Sequence, residues 1–330
     1  GVVISASHNP YQDNGIKLVN GDGEKIDDRT IQVIEDYLDG GARALGLDAD
    51  ELPLSHGADI GQIVDYAAGR NRYVGYLISL AAHSYRSLRI GLDCANGSSW
   101  MIAKAVFEAL GARTYIINAD PDGLNINLNA GSTHIEGLRR LVLSEHLDVG
   151  FAFDGDADRC IAVDENGEEV DGDRILYILA CAMRESGTLP QDTVVTTVMT
   201  NMGLYRALDA AGIRHVETTV GDRFIYESMV RGGYGLGGDA SGIPETGGDI
   251  RQTRFHDRIG KYGVLVRHAD ALLQLRGQHN GRGKTRKRHF GVHHALRQHD
   301  GSQQSVAGRG ILAQNHVPRL LPAQSVAAAY

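Results

Sequence analysis

The chain has 330 residues, of which 42% are hydrophobic, with three cysteines and a formal net charge of −8. That length provides for two or three domains with cores of their own. No apolar run approaches the roughly 20 residues of a bilayer-spanning helix, no basic segment precedes the opening apolar stretch as in a signal peptide, and the negative charge argues against general nucleic-acid binding. Cys94, Cys160 and Cys181 are spaced for neither a zinc site nor a disulfide framework, so buried reduced thiols are expected. The profile fits a cytoplasmic enzyme.

The chain opens with Gly1-Val2-Val3-Ile4, an apolar strand that runs into Ser5-Ala6-Ser7-His8-Asn9-Pro10 and then Asp13-Asn14-Gly15-Ile16-Lys17. A serine beside a histidine in a loop shaped by Gly, Asn and Pro is either a nucleophile or phosphate carrier or the Asx-type turn that ends a strand. There is no Gly-x-Ser-x-Gly elbow, hence no hydrolase triad to read. Ile31, Ile34 and Leu38 recur at helical spacing behind the capping pair Asp27-Asp28. Further helices are predicted over 63–82, 100–110, 135–145, 175–183, 205–210 and 224–230. Strands are predicted over 88–94, 114–117, 149–153, 160–163, 193–198, 215–219 and 234–237. Strands alternating with helices imply α/β layers with a mainly parallel core.

One stretch stands out within this pattern. Asp154-Gly155-Asp156-Ala157-Asp158-Arg159 follows an apolar strand and places carboxylates at i, i+2 and i+4 on the turn that leaves it. Such a turn can converge on one hard cation, and all-oxygen ligands favour Mg²⁺, Ca²⁺ or Mn²⁺ over zinc. The alternatives are a solvated acidic turn or half of a calcium loop. An EF-hand requires glycine at its sixth position; counting from Asp154 that position is Arg159, although Glu165 stands at the twelfth.

Taken in order, the serine loop and the acidic loop resemble the active-serine and metal loops of the α-D-phosphohexomutases. Leu92-Asp93-Cys94-Ala95-Asn96-Gly97 and Thr219-Val220-Gly221-Asp222-Arg223 are similar to that superfamily as well. Pro121-Asp122-Gly123-Leu124-Asn125-Ile126-Asn127 and Gly131-Ser132-Thr133-His134 resemble its branch that interconverts glucosamine 6-phosphate and glucosamine 1-phosphate, ahead of UDP-N-acetylglucosamine and cell-wall synthesis. The resemblance covers residues 1 to about 242. It implies several α/β domains with mixed, mainly parallel sheets around a cleft, incomplete at both ends. The expected divisions are the C-terminal part of a first domain at 1–65, a second domain with the metal loop at 66–168, a partial third domain at 169–250, and a poorly ordered basic tail at 251–330.

The resemblance also implies a site. Ser7 would carry a phosphate, whose oxygen together with Asp154, Asp156 and Asp158 would hold one Mg²⁺. Phosphoserine would pass its phosphate to the C1 or C6 oxygen of a phosphorylated hexosamine, the bisphosphate would turn over, and the other phosphate would return to Ser7. His8 and Lys17 are candidates for proton handling and electrostatic support, and Arg159 for a planar fork on phosphate oxygens. Each has a plain alternative, as a turn residue, a solvated charge and a partner for a neighbouring Asp, respectively. Gly221, Asp222, Asp239 and Ser241 would meet the substrate. The superfamily's sugar loop reads Gly-Glu-x-Ser-Gly-His, whereas this chain has Gly238-Asp239-Ala240-Ser241-Gly242-Ile243, with a carboxylate one methylene shorter and an isoleucine that cannot donate a hydrogen bond. A mutase for mannose or glucose phosphates, and a non-catalytic remnant that binds Mg²⁺ or a partner, are the competing classes. No membrane partner is expected, and oligomeric state is left open.

Beyond the sugar loop the composition changes abruptly. Residues 1–251 hold 20 Lys+Arg and 38 Asp+Glu, whereas residues 252–330 hold 13 Lys+Arg and 3 Asp. No glutamate follows Glu245, and eight of the fourteen histidines fall in the last stretch. Residues 264–275 are its best helical candidate. The superfamily's Arg-x-Ser-Gly-Thr-Glu-Pro phosphate loop and its Gly-Thr-x-Gly-x-Arg start are not found, so an internal fragment is expected, with little turnover on its own. A reading frame shifted by one base near Gly242 would account for the break: Ile243 to Arg251 can be encoded so that the offset frame reads Tyr-Leu-Lys-Leu-Ala-Ala-Ile-Phe-Ala. The alternative is a genuine basic tail, whose segment 282–289 (Arg-Gly-Lys-Thr-Arg-Lys-Arg-His) could bind RNA or an acidic partner.

Overall fold

The computed structural model describes residues 1–21, 25–39, 41, 55–240 and 245–246. Ser241 and the expected helix over 264–275 lie outside the described residues, as does the basic tail. The chain begins with an antiparallel ribbon of Val2–Ser5 (β1) and Gly15–Leu18 (β2), closed at Ser5 opposite Gly15. Helix α1, Asp28–Leu38, follows, with the Asp27 carboxylate accepting from the Thr30 amide at 3.0 Å as its N-cap. The helix expected over 63–82 is shorter, Ala67–Ser79 (α2). Ile63 is fully exposed and Val64 is 76% exposed, so little burial supports a helical turn there.

Arg89–Asp93 (β3), Arg113–Ile117 (β4), Val149–Phe153 (β5), Cys160–Asp164 (β6) and Glu169–Val170 (β7) form a five-stranded sheet in the order β4-β3-β5-β6-β7. β3 runs parallel to β4 and β5, and the β5-β6-β7 side is antiparallel. Every residue of β5 is buried, which accounts for its unbroken apolar sequence. Phe151 and Phe153 face one way, toward Leu77 of α2, Phe107 of α3 (Ile102–Ala109) and Ile175 and Leu179 of α5 (Gly172–Glu185). Ala152 faces the other way, with Ile161 and Val163, onto Leu138 and Val142 of α4 (Glu136–Glu145). A Cβ at Gly150 would lie 2.8 Å from both Leu138 and Val142, so the absence of a side chain there sets how closely α4 approaches the sheet.

A second sheet has the order β11-β10-β8-β9, from Thr193–Thr197 (β8), Arg214–Thr218 (β9), Leu236–Gly237 (β10) and Glu245–Thr246 (β11). β8 is parallel to β9 and β10, and β11 is antiparallel to β10. Val194 and Leu236 share a core with α5 and α6 (Met202–Ala210), while Val195 packs against Ile225 and Met229 of α7 (Asp222–Gly232). Helix α5 thus serves both sheets. It starts at Gly172, three residues earlier than expected, because Asp171 caps it through the Arg174 amide at 2.9 Å. The expected α/β class with mixed, mainly parallel sheets is what the chain adopts. Among the described residues no helix is long and apolar enough to cross a membrane.

The Gly150–Leu138 contact makes a specific test of this packing. Leu138→Ala is expected to cost about 2–5 kcal/mol and Gly150→Ala about 1–3 kcal/mol. The double variant should cost less than their sum, because the new methyl enters space that Leu138 vacates. Urea unfolding of the four proteins measures this; strict additivity would contradict the close approach.

Candidate active site

The three carboxylates of the acidic loop sit on the turn between β5 and β6. The Asp154 carbonyl accepts from the Ala157 amide at 3.0 Å, Ala157 takes a left-handed φ of 56°, and the Arg159 amide donates to Asp154 Oδ1 at 3.1 Å. This curl brings one carboxylate oxygen from each of Asp154, Asp156 and Asp158 within 4.8 Å of the others. Asp154 is 1% exposed. Burial, reinforced by the charges of Asp158 and Asp156, pushes its carboxyl up to about 7. Oδ1 of Asp156 is buried and accepts no hydrogen bond among the described residues. An orphaned buried oxygen in an all-carboxylate set fits a hard divalent cation.

The serine loop docks directly on this turn. The Ser7 carbonyl accepts from the Gly155 amide at 2.9 Å and from Asn127 Nδ2 at 2.8 Å; the same Nδ2 donates to the Asn9 carbonyl at 2.7 Å. A Cβ at Gly155 would fall 2.5 Å from the Ser7 carbonyl oxygen, so only glycine permits the contact. Ser7 has a left-handed φ of 52°, and its amide donates to Ser5 Oγ at 2.9 Å. Its Oγ lies 3.5 Å from Asp154 Oδ2 and 3.5 Å from His8 Nδ1. Lys17, on β2, reaches over from the ribbon to Asp156 Oδ2 at 2.5 Å and Asp158 Oδ2 at 3.7 Å. Five of the expected residues, Ser7, Lys17, Asp154, Asp156 and Asp158, therefore share one constellation, with His8 at its edge.

Next to it opens a cavity of about 530 Å³, at the carboxyl ends of the parallel strands, where α/β sheets commonly bind ligands. Lys17, Asp158 and Arg159 line it together with Gly221, Asp222 and Asp239, which arrive on the loops after β9 and β10. Arg159 Nε is buried and makes no hydrogen bond among the described residues. Gly221, at φ 128°, precedes the first residue of α7. The Asp222 carboxylate accepts from Lys25 Nζ at 2.9 and 2.8 Å. Asn127 and Lys25 were not singled out from sequence. Asn127 falls in the segment 121–127, whose resemblance bears only on the branch, and nothing in the sequence around Lys25 signals its partner.

Profiles of the three α/β/α domains of phosphoglucomutase/phosphomannomutase match this chain: domain I at residues 1–44, domain II at 71–167 and domain III at 171–243. Phosphoglucosamine mutases from Lachnospira eligens and Lachnoclostridium phytofermentans are 59% and 53% identical over 242 residues, covering 73% of this chain and 52% of each relative. The chain thus spans about half the length of the curated relatives it matches. Among solved structures, a phosphoglucomutase/phosphomannomutase family protein from Burkholderia thailandensis aligns with a TM-score of 0.61 at 23% identity, over 84% of this chain and 57% of that one. An Aspergillus fumigatus N-acetylphosphoglucosamine mutase in complex with glucose 1,6-bisphosphate aligns with a TM-score of 0.52 at 17% identity, over 83% and 66%. At these identities the structures speak to the fold.

The raised Asp154 carboxyl has a signed consequence. The unfolded chain loses this proton near pH 3.8 and the folded chain near 7, so in EDTA stability should fall as pH climbs through that window. Asp154→Asn should flatten the fall. Mg²⁺ at a hundred times its Kd should stabilise the wild-type chain by about 2.7 kcal/mol and the variant far less. Thermal unfolding at pH 5 and 8 measures both effects; equal stabilisation of the variant by Mg²⁺ would contradict a cation site at the triad.

Proposed function

The chain belongs to the phosphoglucomutase/phosphomannomutase family, and from that premise we propose that it carries the phosphoryl-transfer site of a cytoplasmic mutase interconverting glucosamine 6-phosphate and glucosamine 1-phosphate. The observation that carries the reading is the position of Ser7 Oγ, 3.5 Å from Asp154 at the edge of a carboxylate triad that Lys17 bridges. A serine held in this way can take a phosphoryl group, and the relatives' name supplies the hexosamine phosphate.

In the forward step the bond between phosphorus and Ser7 Oγ breaks as one forms to the C6 or C1 oxygen of the monophosphate. The sugar hydroxyl gives up its proton and Ser7 Oγ regains one, with His8, 3.5 Å from that oxygen, placed to handle the exchange. The return step is the same exchange with the other phosphate of the bisphosphate. Asp154, Asp156 and Asp158 would hold Mg²⁺, which supplies neutralisation of charge on phosphoryl oxygens. Lys17 adds a fixed positive charge beside the triad, and Arg159 presents its guanidinium to anions entering the cavity. Asp239 faces the same cavity and would accept from sugar hydroxyls, with less reach than the glutamate usual there. The hydroxyl of Ser241 would add to this recognition.

Incubating the 330-residue chain with glucosamine 1,6-bisphosphate and Mg²⁺ should place one phosphoryl group on each chain, located at Ser7 by peptide mass spectrometry. Ser7→Ala should accept none, and Asp154→Asn should react about a hundred-fold slower or worse. Absence of transfer to the wild-type chain, or equal labelling of Ser7→Ala, would overturn the proposal.

A further inference from the structure

Lys25 lines the same cavity as Lys17 and Arg159, yet neither the serine loop nor the metal loop contains it. Its side chain is 61% exposed, and its ammonium sits across both oxygens of Asp222, itself 25% exposed. An ion pair this open to water contributes at most about 1 kcal/mol. Asp222 does not depend on it. Oδ1 also accepts from the Arg223 amide at 2.8 Å, and the residue stands in the first turn of α7, where backbone N–H groups favour a carboxylate. Nor do the two parts of the chain depend on it, because Arg223 bonds Asp28 Oδ1 at 2.5 Å and ties α7 to the start of α1 separately. Lys25 can therefore leave Asp222 at small cost. Its four-carbon stem allows the ammonium to swing into the cavity, where a phosphate dianion is a stronger partner than one carboxylate.

We propose that Lys25 is a switchable phosphate-binding residue, which can exchange its partner Asp222 for the phosphate of the phosphosugar that is not at Ser7. Asp222 then acts as a holder of Lys25 rather than as a ligand of sugar hydroxyls. The inference rests on the phosphosugar reading of the site.

The two roles of Asp222 predict opposite signs. Titration calorimetry of the whole chain with inorganic phosphate, glucosamine 6-phosphate and unphosphorylated glucosamine separates them. Lys25→Ala should weaken both phosphates about five-fold or more while leaving glucosamine unchanged, and Lys25→Arg should restore most of the loss. Asp222→Asn should tighten both phosphates about two-fold or more, since it frees Lys25. Unchanged phosphate affinity in Lys25→Ala overturns the proposal, as does an Asp222→Asn variant that binds phosphate as weakly as Lys25→Ala. If the wild-type chain binds inorganic phosphate through Lys25 but not glucosamine 6-phosphate, the phosphosugar reading fails and the lysine's role in anion binding stands. If it binds neither, both fall.

Discussion

The carbonyl oxygen of Ser7 is the point on which the site depends. It takes hydrogen bonds from the Gly155 amide and from Asn127, and these hold the serine loop against the acidic turn. Each is worth on the order of 1 kcal/mol net, yet little else does this job. The ribbon that carries the loop buries little of itself: Val2, Ile4 and Ile16 are all more than half exposed. Polar contacts between loops, with Lys17 reaching to Asp156, therefore locate Ser7 more than hydrophobic burial does. A side chain at residue 155 would break the contact outright, whereas truncation of Asn127 would remove one of the two hydrogen bonds and release the loop more gently.

The same arrangement carries an electrostatic cost. Three carboxylates converge where Asp154 is almost wholly buried, so its proton is held to about pH 7. Lys17 offsets part of the repulsion from the rim, but the orphaned Asp156 oxygen remains. A hard cation would complete what the fold leaves unbalanced. This is how a stable α/β core can tolerate a locally unfavourable cluster: the sheet and α3–α5 hold β5 and β6 in register on either side of the turn.

Much of this was legible in the sequence, for identifiable reasons. The i, i+2, i+4 carboxylates announce convergence because a turn is short and local, and β5 reads as a strand because both of its faces are buried. The helix expected over 63–82 overshoots Ala67–Ser79 because apolar spacing says nothing of whether a surface exists to bury Ile63 and Val64. Asn127 and Lys25 act on partners far away in the chain, and no local pattern encodes such a pairing. The composition break was legible too. The domain III profile ends at residue 243, shortly before the basic stretch of residues 252–330.

The central claim is that Ser7 and the carboxylate triad form one site, with the serine's phosphate beside the cation. Phosphorus NMR of the chain phosphorylated at Ser7, titrated with Mn²⁺, tests it most directly. The phosphoserine resonance should broaden beyond detection at about one Mn²⁺ per chain, and should stay sharp in Asp154→Asn at the same concentration. A wild-type resonance that remains sharp once the metal is bound would show that serine and triad act apart, and would contradict the account.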